Sequence, residues 1–500
     1  MPTGHPAEGF GLLSVLIAAP LAAAVVAAFL RSDTALRGWT LFATTLIGLV
    51  SLGLWTGYEP GRVGFQLVER MPWVRSLGIE YRLGVDGISV LLILLTTGLA
   101  PLCVLASWKY IGVRVKEFML CLLVMETAMV GVFCALDFVL FFVFWEAMLI
   151  PMSLMIGVWG GPRRVYAALK FFVYTMAGSA LMLAAIVALR LKVGTFGIPE
   201  MMGHSLSNEF QCWVFAAFLL SFAIKVPMVP FHTWLPAAHV EAPTAGSVLL
   251  AGVLLKMGTY GFLRFSLPIT PYASQVFAPW LMWLSVAAIL YGGMAALAQT
   301  DMKKLVAYSS VGHMGFATLG IFSLTKEGIE GATLVMINHG VTTGGLFLVV
   351  GMLYERLHSR ELDRAAGLGR VMPWMATFLG VFCLSSMAFP GTNSFIGEFL
   401  VMAGGFKISP LLMVVAVPGV VAAAAYNLRM LQRVAYGGVS NSAHPGVPDL
   451  SAREILTLIP LLVLVIWIGL QPGPVVNLMQ TSVEHLLGQV RSVPAMTLAP

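Results

Sequence analysis

Apolar stretches of about twenty residues recur along the chain from Phe10 to Leu470, separated by short polar connections. Crossing the hydrocarbon of a bilayer takes about 20 residues of helix, and long lipid-exposed open strands are excluded there because their backbone groups would lack partners. The recurrence therefore predicts an all-α, polytopic membrane protein of about fourteen transmembrane helices. They are expected near Phe10–Leu30, Trp39–Trp55, Ile88–Ser107, Phe118–Leu136, Phe138–Trp159, Ala167–Leu189, Cys212–Ala238, Pro243–Leu263, Phe277–Ala298, Leu305–Leu324, Ala332–Tyr354, Met372–Gly405, Leu411–Leu431 and Ile455–Leu470. With 59% hydrophobic and 10% charged residues, the 500-residue chain reads as one continuous transmembrane domain rather than several soluble ones. The first stretch has no Lys or Arg before it and is expected to be a retained span.

The formal net charge of +6 finds its explanation in the loops, since no basic run or interleaved aromatic patch points to nucleic acid. If the N-terminus lies outside, seventeen Lys and Arg residues fall in the inner loops, Lys303 and Lys304 among them, against ten on the opposite side. Both termini are thus expected outside. The five cysteines, Cys103, Cys121, Cys134, Cys212 and Cys383, have no metal-ligand spacing and read as packing residues. No iron–sulfur, haem or flavin motif is visible, so any redox chemistry is expected in other subunits.

Two spans are interrupted. FLLSFAIKVPMVPFHTWLPAAH carries Pro227 and Pro230 after an apolar half, and CLSSMAFPGTNSFIGEFL carries Pro390, Gly391 and Asn393 at its centre. Proline removes a backbone donor and clashes with the preceding turn, and inside a membrane such breaks persist only where protein or water satisfies the freed groups. Each is expected to be a pair of half-helices facing a wet interior. With five spans per unit, the discontinuous helices 7 and 12 hold equivalent positions, which predicts two inverted five-helix repeats, roughly 118–264 and 277–433.

Charges at mid-span cost a few kcal/mol on insertion scales and are seldom present without a partner or water. Glu126, Glu146 and Lys256 lie too far from either end to snorkel, while Lys225 stands at the first break and Glu398 just beyond the second. Low dielectric disfavours the charged form of both residue types, so neighbouring charge can decide whether each holds a proton. His232, His239, His313 and His339 add candidate relay groups; a lone histidine within a span is as often a satisfied packing residue. A metal site is the alternative for His232 and His239, but no acidic or cysteine companion stands at ligand spacing. Asp137, in the tight connection between the fourth and fifth spans, is expected at the surface.

The segment KVPMVPFHTWLPAAHVEAPTAGSVLLAGVLLKMGTYG, together with VDGIS around Asp86, FWEAMLIPM, MKKLVAYSSVGHMG and FPGTNSFIGEF, resembles the antiporter-like membrane subunits of respiratory complex I, NADH:quinone oxidoreductase. Within that family the likeness is to the M type, called chain 4 in mitochondria. The resemblance implies a proton-translocating subunit that couples quinone reduction elsewhere in the complex to pumping. It implies that Glu146 and Lys225 form an ion pair, that Lys256 is the central lysine, and that His313 and His339 bridge it to Glu398, with Glu126 matching a fourth-helix glutamate. Glutamate rather than lysine at position 398 points to the M type, as does a chain that stops soon after its last span. The resemblance further implies L and N type neighbours, no cofactor in this chain, quinone, FMN and iron–sulfur clusters in partner subunits, and a bacterial inner membrane. Two other classes share the core residues: the D-type chain of a multi-subunit cation/proton antiporter, and the membrane subunit of a hydrogenase-like or ferredoxin-dependent complex.

Overall fold

The computed structural model describes residues 10–436 and 446–491. Twelve helices in it are long and apolar enough to cross a membrane: Leu12–Phe29, Asp33–Gly57, Gly87–Tyr110, Val115–Cys134, Phe138–Trp159, Arg164–Val193, Thr244–Ile269, Pro271–Leu297, Met302–Phe322, Lys326–Leu357, Pro410–Tyr436 and Ala452–Leu470. They match the expected spans other than the seventh and twelfth, and each carries the ordinal of the span it matches. The count rises to thirteen if the bent pair Leu362–Arg370 and Pro373–Ser386 is one span, so fourteen is not reached by length and composition. The expected seventh is broken into Asn208–Lys225 and Trp234–Glu241, and the expected twelfth into Pro373–Ser386 and Asn393–Phe406. Trp234–Glu241, Pro373–Ser386 and Asn393–Phe406 are too short to count as spans alone, and Asn208–Lys225, long enough at 18 residues, is too polar at its ends.

Helix starts follow local chemistry. Asp86, Asp137 and Asp301 each accept backbone N–H groups of the first turn that follows them, leaving fewer orphan donors at the third, fifth and tenth spans. Ser451 and Glu454 form a capping box at the fourteenth. The first span is capped from a distance: Glu69 accepts from Leu13 N at 2.8 Å and also bonds the Ser14 hydroxyl.

Glu69 belongs to a short element that apolar length did not mark and that sits beside the all-α bundle. Gln66–Val74 and Ile79–Val85 pair as an antiparallel hairpin, with Arg70 opposite Arg82 and Met71 opposite Tyr81. A second amphipathic element, the helix Gly473–Arg491, follows the fourteenth span and presses Val475, Leu478, Met479, Val483, Leu486 and Val490 inward. Both lie at one end of the bundle, where Ser482 bonds Tyr58 and Gly87. Asp137 lies there too and is 1% exposed, contrary to expectation, because its carboxylate caps the fifth span and also accepts from Glu80 N of the hairpin.

The eighth and eleventh spans are buried along their apolar windows and the tenth nearly so, while the first, second, sixth, thirteenth and fourteenth have less than half of theirs buried. In lipid, apolar side chains gain little by meeting one another, so close packing at small residues holds the helices together. Gly258 shows this: a Cβ there would come within 2.9 Å of Phe222 O and 3.0 Å of Val226 N, so only glycine lets the eighth span lie against the first break.

Candidate functional site

The eighth span is irregular on either side of Lys256. Leu250–Leu254 and Phe262–Ser266 are wound with i→i+5 hydrogen bonds, a form that shifts side-chain register and often marks functional positions. Lys256 follows the first of these segments, is 0% exposed, and places Nζ 2.6 Å from His339 Nδ1 on the eleventh span, with a second bond to Ala251 O. No sequence signal indicated the irregular winding.

Beyond His339 the contacts continue. Its ring lies 5.8 Å, centroid to centroid, from that of His313 on the tenth span. Between them is a small cavity lined by His313, Asn338, His339, Thr342, Ser386 and Glu398 among others. His339 Nε2 is buried with no hydrogen-bond partner. His313 Nδ1 meets Glu398 Oε1 at 2.9 Å, and His313 Nε2 lies 3.3 Å from both Ser386 Oγ and Tyr426 OH. Lys256, His339, His313 and Glu398 thus form one run interrupted by a single gap that has room for about one water molecule.

The break before Glu398 is held by polar side chains. Asn338 Nδ2 donates to Asn393 O at 2.7 Å, Ser385 Oγ donates to Asn393 Oδ1 at 2.6 Å, and Thr342 Oγ1 lies 2.6 Å from Ser385 Oγ. Sequence reasoning missed Ser385, Ser386, Tyr426 and Asn338. Hydroxyl and amide residues are common inside spans, and nothing in their local pattern told these apart.

The other expected members are less connected. Glu146 stands half-buried in the turn before the irregularity at Met148, with Oε1 buried and unpartnered. Lys225 ends the first half of the seventh span with Nζ 5.0 Å from the centre of the Trp145 ring. Glu146 is within electrostatic reach of Lys225, but no ion pair within 4.0 Å joins them, which corrects the expected contact pair. The cation instead faces the negative π-surface of Trp145, which can stabilise an ammonium without a carboxylate in contact.

Glu126 is 0% exposed on the fourth span and neither carboxylate oxygen has a hydrogen-bond partner, so it does not join the run. His232 sits in the 3₁₀ turn after the first break, its ring 4.8 Å from that of Tyr291 and its Nδ1 unpartnered. His239 is 0% exposed, stacked on Phe347 at 4.6 Å, with both ring nitrogens unpartnered. Among the described residues no three His, Cys, Asp or Glu side chains form a group able to hold a metal ion.

Comparison with known proteins gives this geometry a context. Residues 135–424 match the family described as "NADH:quinone oxidoreductase/Mrp antiporter, TM", and residues 64–132 match "NADH-ubiquinone oxidoreductase chain 4, amino terminus". The chain is 45% identical over 495 residues to NADH-quinone oxidoreductase subunit M of Rhodobacter capsulatus, covering 95% of this chain and 96% of that one. It is 42% identical over 478 residues to chain 4 of Marchantia polymorpha, covering 95% and 97%. A chain of respiratory complex I from Thermus thermophilus superposes with a TM-score of 0.85 at 33% identity, over 95% of this chain and 100% of that one. A chain of the Mrp complex from a Dietzia species shares the fold, with a TM-score of 0.82 at 23% identity over 94% of this chain and 52% of that one.

Proposed function

Because the chain belongs to the NADH:quinone oxidoreductase/Mrp antiporter family of membrane subunits, and its relatives at 42–45% identity are subunit M and chain 4, we propose that it translocates protons as the M-type subunit of complex I. The observation that carries the reading is the buried run Lys256, His339, His313, Glu398.

The run supports a defined proton path. The Lys256 ammonium gives a proton to His339 Nδ1, and the ring releases one from Nε2 into the cavity. Water there and the Ser386 hydroxyl pass it to His313 Nε2, and His313 gives up its Nδ1 proton to Glu398. Each histidine accepts on one nitrogen and donates from the other, which is how imidazole transmits a proton without moving. The tautomers follow from this assignment.

Glu146 and Lys225 set the state of Lys256 through their field. Charge brought close to Lys225 by Glu146, or withdrawn from it, alters how much positive charge the neighbouring eighth span can hold. The energy comes from quinone reduction in other subunits, where quinone, FMN and iron–sulfur clusters reside. L and N type subunits are the neighbours. The Lys and Arg bias supports a bacterial inner-membrane location with both termini on the periplasmic side. A paired arrangement of repeats, roughly 118–264 and 277–433, is supported by the way both breaks begin. Met228 N reaches back five residues to Ala223 O, and Phe389 N reaches back five to Leu384 O.

The test is Lys256→Ala in the complete complex, reconstituted in sealed vesicles, with acidification and quinone reduction followed together. Protons moved per quinone reduced are expected to fall sharply while the complex remains assembled. An assembled variant with the unaltered ratio would refute the role.

A further inference from the structure

The path that starts at Lys256 leaves open how Lys256 regains a proton. The opposite end of the bundle from the hairpin holds a cation that sequence reasoning placed in an inner loop. Lys303 lies in the first turn of the tenth span, is 9% exposed, and donates from Nζ to Ala242 O at 2.5 Å. Ala242 follows the half-helix Trp234–Glu241, three residues after His239. The charges that act on Lys303 are those of Arg360, Asp301 and Glu241.

These charged groups connect to the surface. Asp301 pairs with Arg360 at 3.3 Å, and Arg360 also donates to Val240 O at 2.6 Å. Glu241 is buried, accepts from Arg163 N at 3.0 Å, and faces the exposed guanidinium of Arg163 at 3.8 Å. On the inner side stands His239, buried with both ring nitrogens unpartnered, and the charges that reach it are those of Lys303 and Lys256. A buried polar group without a partner costs free energy, and an imidazole with both nitrogens free is one equipped to accept on one side and donate on the other.

We propose that Lys303 takes up protons at the arginine-rich end of the bundle and passes them through His239 to Lys256. The proposal rests on the proton path from Lys256 to Glu398. Lys303 Nζ gives one proton to a ring nitrogen of His239 and keeps its bond to Ala242 O with a remaining N–H. The other ring nitrogen releases a proton toward the neutral amine of Lys256, directly or over water. Glu241 and Asp301 return a proton from solvent to Lys303. Charge is conserved at each transfer, and water is the sole co-reactant.

A bland reading is available: a lysine at a helix C-terminus satisfies its last carbonyls and does nothing more. Lys303→Arg separates the two, because arginine keeps the charge and the donor yet does not release a proton. In the reconstituted complex, Lys303→Arg is expected to lower protons moved per quinone reduced by as much as Lys256→Ala does in the same preparation. Lys303→Gln, which also keeps a donor for Ala242 O, is expected to do the same and serves if the arginine is too large to assemble. Lys304→Ala is expected to leave the ratio unchanged. An assembled Lys303→Arg or Lys303→Gln complex with the unaltered ratio overturns the proposal, as does an equal loss in Lys304→Ala. If Lys256→Ala also pumps normally, the proton path itself has failed and uptake through Lys303 falls with it.

Discussion

The two broken helices solve one problem with different materials. At the first, Val226–Pro230, the freed backbone is met by one indole N–H and by close packing: Trp234 Nε1 donates to Ile224 O at 2.7 Å, and the eighth span closes on Phe222 and Val226 at Gly258. At the second, Met387–Thr392, it is met by a polar mesh of Asn338, Thr342, Ser385 and Asn393. The titratable groups divide in the same way. Around the first break Glu146, His232 and His239 retain unpartnered atoms, while beside the second His313 and Glu398 are bonded to each other. The mesh itself leaves Asn338 Oδ1 and Asn393 Nδ2 without partners, so what separates the two breaks is that the titratable pair beside the second is bonded while the titratable groups around the first stay open. The difference suits uptake and control at the first break and onward transmission at the second.

Four substitutions bear on that contrast. The largest expected effect is at the transmitting end: Glu398→Gln removes the acceptor of the His313 proton and should cut the rate of proton movement about tenfold or more, about 1.4 kcal/mol at least. Glu146→Gln, acting across a gap, should cut it less in the same vesicle assay. Equal losses would erase the distinction between control and transmission. Next comes packing. Gly258→Ala forces a methyl group against backbone at the first break and is expected to destabilise the fold by about 1–3 kcal/mol, read as a lower thermal midpoint of the purified complex. An unaltered midpoint would show that the first break is looser than its contacts imply. The smallest effect is at Tyr426→Phe, which removes the hydroxyl 3.3 Å from His313 Nε2. One net hydrogen bond is worth about 0.5–1.5 kcal/mol, so pumping should fall roughly two- to tenfold, with assembly intact. No loss would leave Ser386 as the sole partner that matters for that nitrogen.

Part of this site was legible in the sequence. Lys256 stood out because a charge in the middle of an apolar run has no inexpensive solution other than a buried partner. The breaks stood out because Pro227, Pro230, Pro390 and Gly391 interrupt otherwise apolar stretches. Other parts were not legible. The hairpin stayed hidden because Gln66–Val85 is rich in charge and lies between spans, whereas apolar length is what marks a membrane element. The helix Gly473–Arg491 has a clear 3.6-residue apolar period but too little overall apolarity to register as a span. Lys303 read as a loop cation because its sequence neighbours Asp301 and Lys304 are polar, and only the fold brings Ala242 over it.

Composition and order alone determined that this chain lives in a bilayer, where its helices break, and which side chains could not be there for solubility. The hydrocarbon imposes those answers one segment at a time, since each span must satisfy its own backbone and account for its own charges. Tertiary structure decided which of those side chains meet. His339 lies 83 residues from Lys256, and Glu398 lies 85 from His313, yet both pairs close to within 3 Å. Glu146 and Lys225 were expected to touch and do not. Contacts of that kind depend on the rotation and depth of each helix against its neighbours, and a rotation of one residue, about 100°, would turn any of these side chains away from its partner.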